Sequence, residues 1–550
     1  MRNKMGLLLM SLVTFGASIA ILISFSTAEL FTAMSHLEPV AQLEHFVSSQ
    51  MDEYIDMEMH RIQQLREMAA KFKEMYKRAM TRDVEGMVKN PLNRYQTLKW
   101  ILGNYVHAWE AVKMNDVSKK FLSNFTGFPK DEDLQGAATA IFRIQDVYRL
   151  APADMADGRI PGIPPLEKLT GHDCYELGKR AYNDQDYYHT IHWMEEALHR
   201  HHQEKPSPTV REDAILDYMS FALYKQGNLH RAWQLAKKIV AMNPHDDRAR
   251  DNLMYFAKEM SEAGIKKNSA DLPPIMNLRP WDEALPEREI YESLCRGDSH
   301  KTEGQKSQLS SYYKRDRAFL KLAPLKVQVV HLNPLAVLFK DVLSDREIEK
   351  IKELATPLLK RATVHNKATG RLEHASYRIT KSAWLKNDHH PYIVRINRRL
   401  EDMTNLDQSA AEDFQVANYG LGGHYDPHFD HSTRDEEDPF EDGLGNRIAT
   451  VLFYLEAPMA GGATVFVNAK IAFFPTKHDA LFWYNLHPNG EGDDRTRHAG
   501  CPVLGGQKWI SNKWIHERSQ EFRRPCTTKE FGEEHTVREV DWKNFALRPP

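Results

Sequence analysis

Three residues in the last quarter of the chain have the types and spacing to hold a divalent metal ion. His428 and Asp430 form an H-x-D pair within NYGLGGHYDPHFDH, and His498 follows in RTRHAGCPVL. Two imidazoles and one carboxylate fill three positions of an octahedron and leave three open, the donor set that suits non-haem Fe(II). Lys508 lies ten residues beyond His498. A buried lysine with no carboxylate near it in sequence needs an anion, and a dicarboxylate cosubstrate with its other end on the metal would supply one. An H-x-D pair carries little weight alone in a chain with 26 histidines. The later histidine and the lysine give it weight. His516, eight residues after Lys508, falls on the same strand face, where it either touches the cosubstrate or packs in the core. His424, His431 and His487 have no partner pattern and read as surface or loop residues.

Strands must position these groups. Residues i and i+2 of a strand point to one face, so His428 and Asp430 can reach one ion, with His498 brought in from another strand. Short β-rich runs at 327–332, 414–419, 448–455, 463–467, 480–484 and 508–515 are separated by turn residues such as Gly422-Gly423 and Gly461-Gly462. This pattern predicts a sandwich or jelly roll, with helices near 345–359 and 392–403 packed outside it. The acidic run 434–442 reads as a solvated loop, or as a mobile lid over the metal.

The upstream half is helical. Ile55, Ile62, Leu65, Ala69, Phe72 and Tyr76 recur at three- and four-residue steps, which fits either a bundle helix or a coiled-coil dimerisation arm. Further helix is predicted around 98–112 and 134–150. A Pro/Gly-rich linker at 158–165 precedes small and aromatic residues spaced as in tetratricopeptide helix pairs. Such pairs build a concave face for an extended peptide; the aromatic residues here either pack in the repeat core or, where exposed, suit a polyproline II ligand. A second linker runs over about 262–287.

At 550 residues the chain holds several domains, and its net charge of -3 leaves no nucleic-acid footprint. Residues 1–28 read as a signal peptide, or as an uncleaved membrane anchor, and Asn124 begins a glycosylation sequon. Of the four cysteines, Cys501 and Cys526 flank Lys508 and could bridge, whereas Cys295 has no obvious partner.

The runs HDCYELGKRAY, DYYHTIHWMEEAL, RATVHNKATGRL, GNRIATVLFYL, TRHAGCPVL and SNKWIHERSQEF closely resemble the catalytic α subunit of animal collagen prolyl 4-hydroxylases, over nearly the whole mature chain. The resemblance implies a multidomain α + β chain. A signal peptide (1–28) precedes a helical dimerisation domain (29–157) and a TPR-like peptide-substrate-binding domain (165–260). A linker (261–290), a double-stranded β-helix dioxygenase domain (291–530) and a tail (531–550) follow. It implies Fe(II) on His428, Asp430 and His498, with O2 and 2-oxoglutarate as cosubstrates and L-ascorbate as the agent that rescues oxidised iron. Lys508 would pair with the far carboxylate of 2-oxoglutarate, and lysine there, where lysyl enzymes generally carry arginine, favours prolyl chemistry. Tyr419 and Thr450 match residues that hydrogen-bond the cosubstrate, Trp514 a wall of its pocket, and His516 a position implicated in its binding. Tyr182, Asp217, Tyr218, Arg248, Asn252 and Tyr255 match a groove for proline-rich peptide, where Phe221 replaces a usual tyrosine. Ser311 stands where the family has a cysteine that bridges to the position of Cys295. Cys295 is therefore expected to be free and the Cys501–Cys526 bridge retained. The expected partner is protein disulfide isomerase, as β in an α2β2 tetramer in the endoplasmic reticulum lumen. The chain ends without a retention signal, so the partner would retain it, and no membrane association is expected after signal cleavage. The expected reaction is 4-hydroxylation of proline in collagen-like X-Pro-Gly sequences. The rival readings are a non-catalytic proline-rich-peptide binder or collagen chaperone, and a prolyl hydroxylase for another secreted proline-rich protein.

Overall fold

The computed structural model describes residues 43–80, 131–163, 168–265, 272–283, 285–298, 301–365, 372–373, 377–433, 440 and 443–528. The expectations placed on the signal peptide, residues 98–112, Asn124, most of the acidic run 434–442 and the C-terminal tail lie outside them. Among the described residues no helix is long and apolar enough to cross a membrane. The chain divides into two units, the second holding Asp131 onward.

In the first unit the helix Leu43–Met80 runs for 38 residues. Met51, Ile55, Met59 and Ile62 stand exposed along it. Their three- and four-residue steps make an exposed apolar stripe along the helix.

In the second unit, five helices form the repeat region: Gly171–Asn183, Tyr187–Gln203, Glu212–Lys225, Leu229–Met242 and Asp247–Glu262. Local chemistry sets their starts. Thr170 and Asp173 make a reciprocal capping box, and Asp186 and Asp246 accept from the backbone N–H of His189 and Ala249. Small residues let the helices close on each other. A Cβ at Gly178 would meet the Met194 side chain at 3.0 Å. The repeat core, which includes Ala181, Trp193, Ala197, Ala222, Ala232 and Phe256, is continuous with helix Asp131–Tyr148.

The β-domain contains a nine-stranded antiparallel sheet. Its order is Ser311–Lys314, Leu325–Leu332, Leu335–Lys340, Ala480–Tyr484, Arg447–Glu456, Lys508–His516, Phe414–Tyr419, Lys381–Leu385, Lys360–Arg361. A five-stranded antiparallel sheet has the order Ile471–Phe473, Thr464–Phe466, His498–Gly500, His424–His428, Arg378–Ile379. The inner faces of the two sheets meet through Phe466, Ile471, Phe473, Leu452, Leu481, Trp483 and Ile510. The outer face of the large sheet is covered by helices Asp345–Ala355 and Pro391–Thr404, through Ile348, Ile351, Ile393, Ile396 and Leu400. With both faces covered, residues 448–455 are all buried, and apart from Thr450 this central strand reads as an apolar run. The predicted strands and the second flanking helix are present to within two residues at each end, while the first helix stops at Ala355 and passes into the 3-10 turn Thr356–Leu358.

The disulfide pattern departs from expectation. Cys295 bonds Cys501, across 206 residues, while Cys174 is a buried and Cys526 an exposed free thiol. Cys295 ends helix Arg288–Cys295, which lies against strand Thr464–Phe466, and that strand pairs with His498–Gly500 just before Cys501. Proximity in space, set by strand pairing, decides the partner; proximity in sequence favoured Cys526.

Candidate metal and cosubstrate site

His428 ends its strand and pairs directly opposite His498 in the antiparallel ladder. Asp430, two residues on, lies beneath both rings: its Oδ1 is 3.7 Å from His428 Nε2 and its Oδ2 is 3.6 Å from His498 Nε2. The ligand atoms of the three side chains all fall within 4.8 Å of one another, and among the described residues this is the one such cluster of three or more. A register shift between Tyr425 and His428 places the Tyr425 ring flat on His428, with centroids 3.6 Å apart. At the start of the strand, Gly422 has φ +58°, and a Cβ there would meet that of Ala140 at 2.7 Å. Glycine is what lets helix Asp131–Tyr148 press against this turn.

Backbone carbonyls fix both imidazoles. His428 Nδ1 donates to the Asp426 carbonyl at 2.8 Å, and His498 Nδ1 to the Thr496 carbonyl at 2.9 Å. Each Nε2 therefore presents a lone pair to the shared space, the tautomer a metal needs. Burial, with His498 alongside, lowers the His428 pKa to about 3 and keeps the ring neutral. Burial works to raise the Asp430 carboxyl, but His498, His428 and Arg447 around it hold it down at about 2.

Thr450, expected as a cosubstrate donor, makes its contacts within the protein on the metal side. Its hydroxyl donates to Asp430 Oδ2 at 2.8 Å and accepts from Asn485 Nδ2 at 2.8 Å, and Asn485 Oδ1 accepts from the Trp483 indole at 2.7 Å. A hydroxyl has one proton, and this one is spent on the carboxylate. The chain Trp483–Asn485–Thr450 aims Asp430.

Lys508 sits opposite Tyr419 across the strand pair. It is 3% exposed, and among the described residues its ammonium makes no hydrogen bond or ion pair. Its neighbours are rings: Nζ lies 5.6 Å from the centroid of Tyr419 and 5.9 Å from that of Tyr454. Burial alone pushes its pKa down to about 7. Alternation along the strands places Lys508, Tyr419, Tyr454 and Thr450 on the face that looks toward the triad.

His516 takes the core-packed place that is one of the two readings its position allows. It ends the strand that Lys508 begins, eight steps or roughly 26 Å away at strand rise. It is fully buried, with Nδ1 2.7 Å from the Gly445 carbonyl and Nε2 3.0 Å from Glu412 Oε1. Glu412 in turn grips Arg447 at 2.5 and 3.1 Å, and Arg447 donates to the Asp430 carbonyl at 3.2 Å. The same guanidinium lies 4.2 Å from the centroid of the Trp514 ring. His516 and Trp514 thus belong to a cluster braced on the metal side, far from Lys508. Of the histidines read as surface or loop residues, His424 is buried on a strand, and His431 lies in the loop after that strand but is buried. His487 sits partly buried with Nε2 3.8 Å from Asp493.

The repeat region brings its predicted groove residues together. Tyr182, Asp217, Tyr218, Phe221, Arg248, Asn252 and Tyr255 come from the first, third and fifth helices, which line one face of a helix-pair stack. Tyr182 meets the edges of Tyr218 and Phe221 at 4.9 and 5.7 Å. Arg248 reaches Asp217 at 3.4 Å and the Tyr182 hydroxyl at 3.4 Å. Tyr224 and Tyr255 share a hydroxyl hydrogen bond of 2.7 Å.

Glu412, Arg447, Asn485 and Tyr454 went unrecognised in the sequence, because only cross-strand register connects them to the triad.

Three family descriptions match the chain: "Prolyl 4-Hydroxylase alpha-subunit, N-terminal region" over residues 33–162, "Prolyl 4-hydroxylase peptide-substrate-binding domain" over 171–262, and "2OG-Fe(II) oxygenase superfamily" over 414–516. Prolyl 4-hydroxylase subunit alpha-2 of Caenorhabditis elegans is 48% identical over 94% of this chain and 97% of its own length. Prolyl 4-hydroxylase subunit alpha-1 of Homo sapiens is 44% identical over 91% and 96%. A solved viral collagen prolyl hydroxylase from Paramecium Bursaria Chlorella virus-1 is 28% identical, covering 32% of this chain and 94% of that one, with a TM-score of 0.28.

Proposed function

Because the chain belongs to the family of prolyl 4-hydroxylase alpha subunits, we propose that it hydroxylates C4 of peptidyl proline in collagen-like X-Pro-Gly sequences, with Fe(II), O2 and 2-oxoglutarate. The observation that carries this reading is Lys508, a buried ammonium with no anion beside it among the described residues, on the sheet face toward the His428, Asp430 and His498 cluster. The residues fit both groups. Nitrogen and carboxylate oxygen donors suit Fe(II) and leave open positions, and the lysine matches the far end of a dicarboxylate.

When bound, iron and 2-oxoglutarate supply the oxidising chemistry, in which O2 gives one atom to the proline and one to succinate with loss of CO2. The protein's part is positioning. His428 and His498 offer Nε2 because their Nδ1 protons are held by carbonyls. Thr450 pins Asp430 Oδ2 and so orients the carboxylate toward the rings. Lys508 neutralises the far carboxylate of the cosubstrate. The Tyr419 and Tyr454 rings around it keep water out, which strengthens that pairing. Arg447 holds the Asp430 backbone and the Trp514 plane in fixed relation, with Glu412 and His516 behind it. The repeat-domain groove receives the proline-rich chain on aromatic rings, and Phe221 contributes a ring without a hydroxyl.

The wider setting belongs to the same proposal. The chain acts in the endoplasmic reticulum lumen after removal of residues 1–28, with glycan on Asn124 and with ascorbate keeping the iron reduced. Protein disulfide isomerase serves as β partner in an α2β2 assembly. The buried Cys295–Cys501 bridge suits an oxidising lumen. The test is succinate release and hydroxyproline formation on a (Pro-Pro-Gly)-type peptide, in the full chain with its partner. Both should require Fe(II) and vanish in His428→Ala, while peptide binding persists. Turnover retained in His428→Ala sinks the reading.

A further inference from the structure

Residues 273–280 leave the repeat region as an extended, proline-flanked strap that is stapled by its backbone. Asn228 pairs both ways with Met276: Nδ2 donates to its carbonyl at 2.6 Å and Oδ1 accepts from its N–H at 2.7 Å. Gln226 pairs both ways with Leu278, at 3.1 and 3.2 Å. The spacing of two residues puts both pairings on one face of the strap. Arg231 adds a hydrogen bond to the Pro273 carbonyl at 2.7 Å, and Asn277 donates to the Tyr188 carbonyl at 3.1 Å.

The next residues anchor elsewhere. Arg279 bonds Asp146 at 2.8 Å on helix Asp131–Tyr148, and Glu292 at 2.6 Å on helix Arg288–Cys295. Asp146 also meets His189 of the repeats at 3.2 Å. The second of these helices is bonded through Cys295 to Cys501, three residues after His498. The first presses its Arg143 on the Gly422 carbonyl at 3.2 Å, six residues before His428. An unbroken series of bonds therefore runs from the third repeat helix, which carries Phe221 in the peptide groove, through the strap to both metal-bearing strands. Meanwhile the strap's apolar side chains, Ile275, Met276 and Leu278, are exposed. Side-chain burial does not hold it in place; the amide pairings do.

We propose that Gln226 and Asn228 are positioning residues that clamp this linker as a brace, fixing the distance between the peptide groove and the metal centre. The proposal rests on the hydroxylase reading above. A chain long enough to occupy both sites then makes its second contact at a high effective concentration, which a loosened linker dilutes.

The test uses the full chain with its partner and two variants. The double variant Gln226→Met and Asn228→Leu removes the amides; Met276→Pro removes the N–H from the strap side and leaves the repeats intact. Hydrogen exchange should rise at 276–278 in the double variant and at Leu278 in Met276→Pro. For a long (Pro-Pro-Gly)-type peptide KM should rise about tenfold, while kcat and the KM of a peptide too short to span both sites stay unchanged. Exchange equal to the parent's overturns the clamp. A freed strap with unchanged KM for the long peptide overturns the brace. A parent without turnover sinks the hydroxylase reading instead, and the exchange result still decides the clamp.

Discussion

Lys508 makes the pH dependence of cosubstrate binding a direct test of the site. Burial without a counter-charge lowers its pKa from 10.5 to about 7. Pairing with a carboxylate favours the ammonium, so the bound-state pKa returns upward and binding takes up a proton wherever the free lysine is neutral. Below pH 7 affinity should be nearly flat. Above it, each pH unit costs about tenfold, or about 1.4 kcal/mol, so the Kd for 2-oxoglutarate should rise roughly fifty-fold from pH 7 to pH 9. The assay is anaerobic calorimetry on the iron-loaded protein, in two buffers of different ionisation enthalpy so that proton uptake is counted directly. Lys508→Met should weaken binding by about 3 kcal/mol or more, because the far carboxylate is then buried without a partner, and should flatten the pH profile. Two results would refute the reasoning: a parent Kd that is constant from pH 7 to 9, or a Lys508→Met variant that keeps the parental slope.

Thr450→Val removes the hydroxyl that aims Asp430, and iron affinity measured by metal titration should fall ~10- to 100-fold with the fold intact. His189, buried between Asp146 and Asp186, has its pKa raised to about 9 because those carboxylates outweigh the cost of burial. Its folded pKa lies above the unfolded value, so its contribution of up to about 3 kcal/mol is complete below pH 6.5 and lost as pH rises through 9. Melting scans should show the parent losing more stability than His189→Gln between pH 7 and 10. Non-reducing peptide mapping should recover Cys295 linked to Cys501, with Cys174 and Cys526 free. Cys295→Ser should cost about 2–5 kcal/mol in denaturant unfolding.

The triad and Lys508 were legible because their chemistry is unusual for a buried strand and their order along the chain matches the sheet. Strand boundaries were legible where turn glycines interrupt apolar runs, as around Gly422-Gly423 and Gly461-Gly462. Relations made only by register were not. Thr450 reaches Asp430 from a strand that otherwise reads as apolar, and Glu412 meets Arg447 across the sheet with no spacing to announce it. His516 was legible as a residue of the Lys508 strand, but the choice between cosubstrate contact and core packing was not, because period two gives the face of a strand and says nothing of distance along it. His424 read as a surface or loop residue because its strand pairing with Ile379 is invisible in a single sequence. Cys501 was paired with Cys526 on the resemblance and on their closeness in sequence, and neither carries the separation in space that sets Cys295 beside Cys501.

The order of strands in the large sheet has a consequence for synthesis. Lys508–His516 is the last of its strands along the chain, yet it lies between Arg447–Glu456 and Phe414–Tyr419. A nascent chain stalled before residue 508 therefore presents two facing strand edges with nothing between them, each with a row of unpaired backbone groups. Closure of the sheet has to wait until this strand has left the ribosome. Until then the nascent chain depends on whatever binds strand edges in the compartment where it is made. Premature termination a few dozen codons short would yield an open, aggregation-prone sheet, with the histidine–aspartate motif already translated but the keystone strand missing.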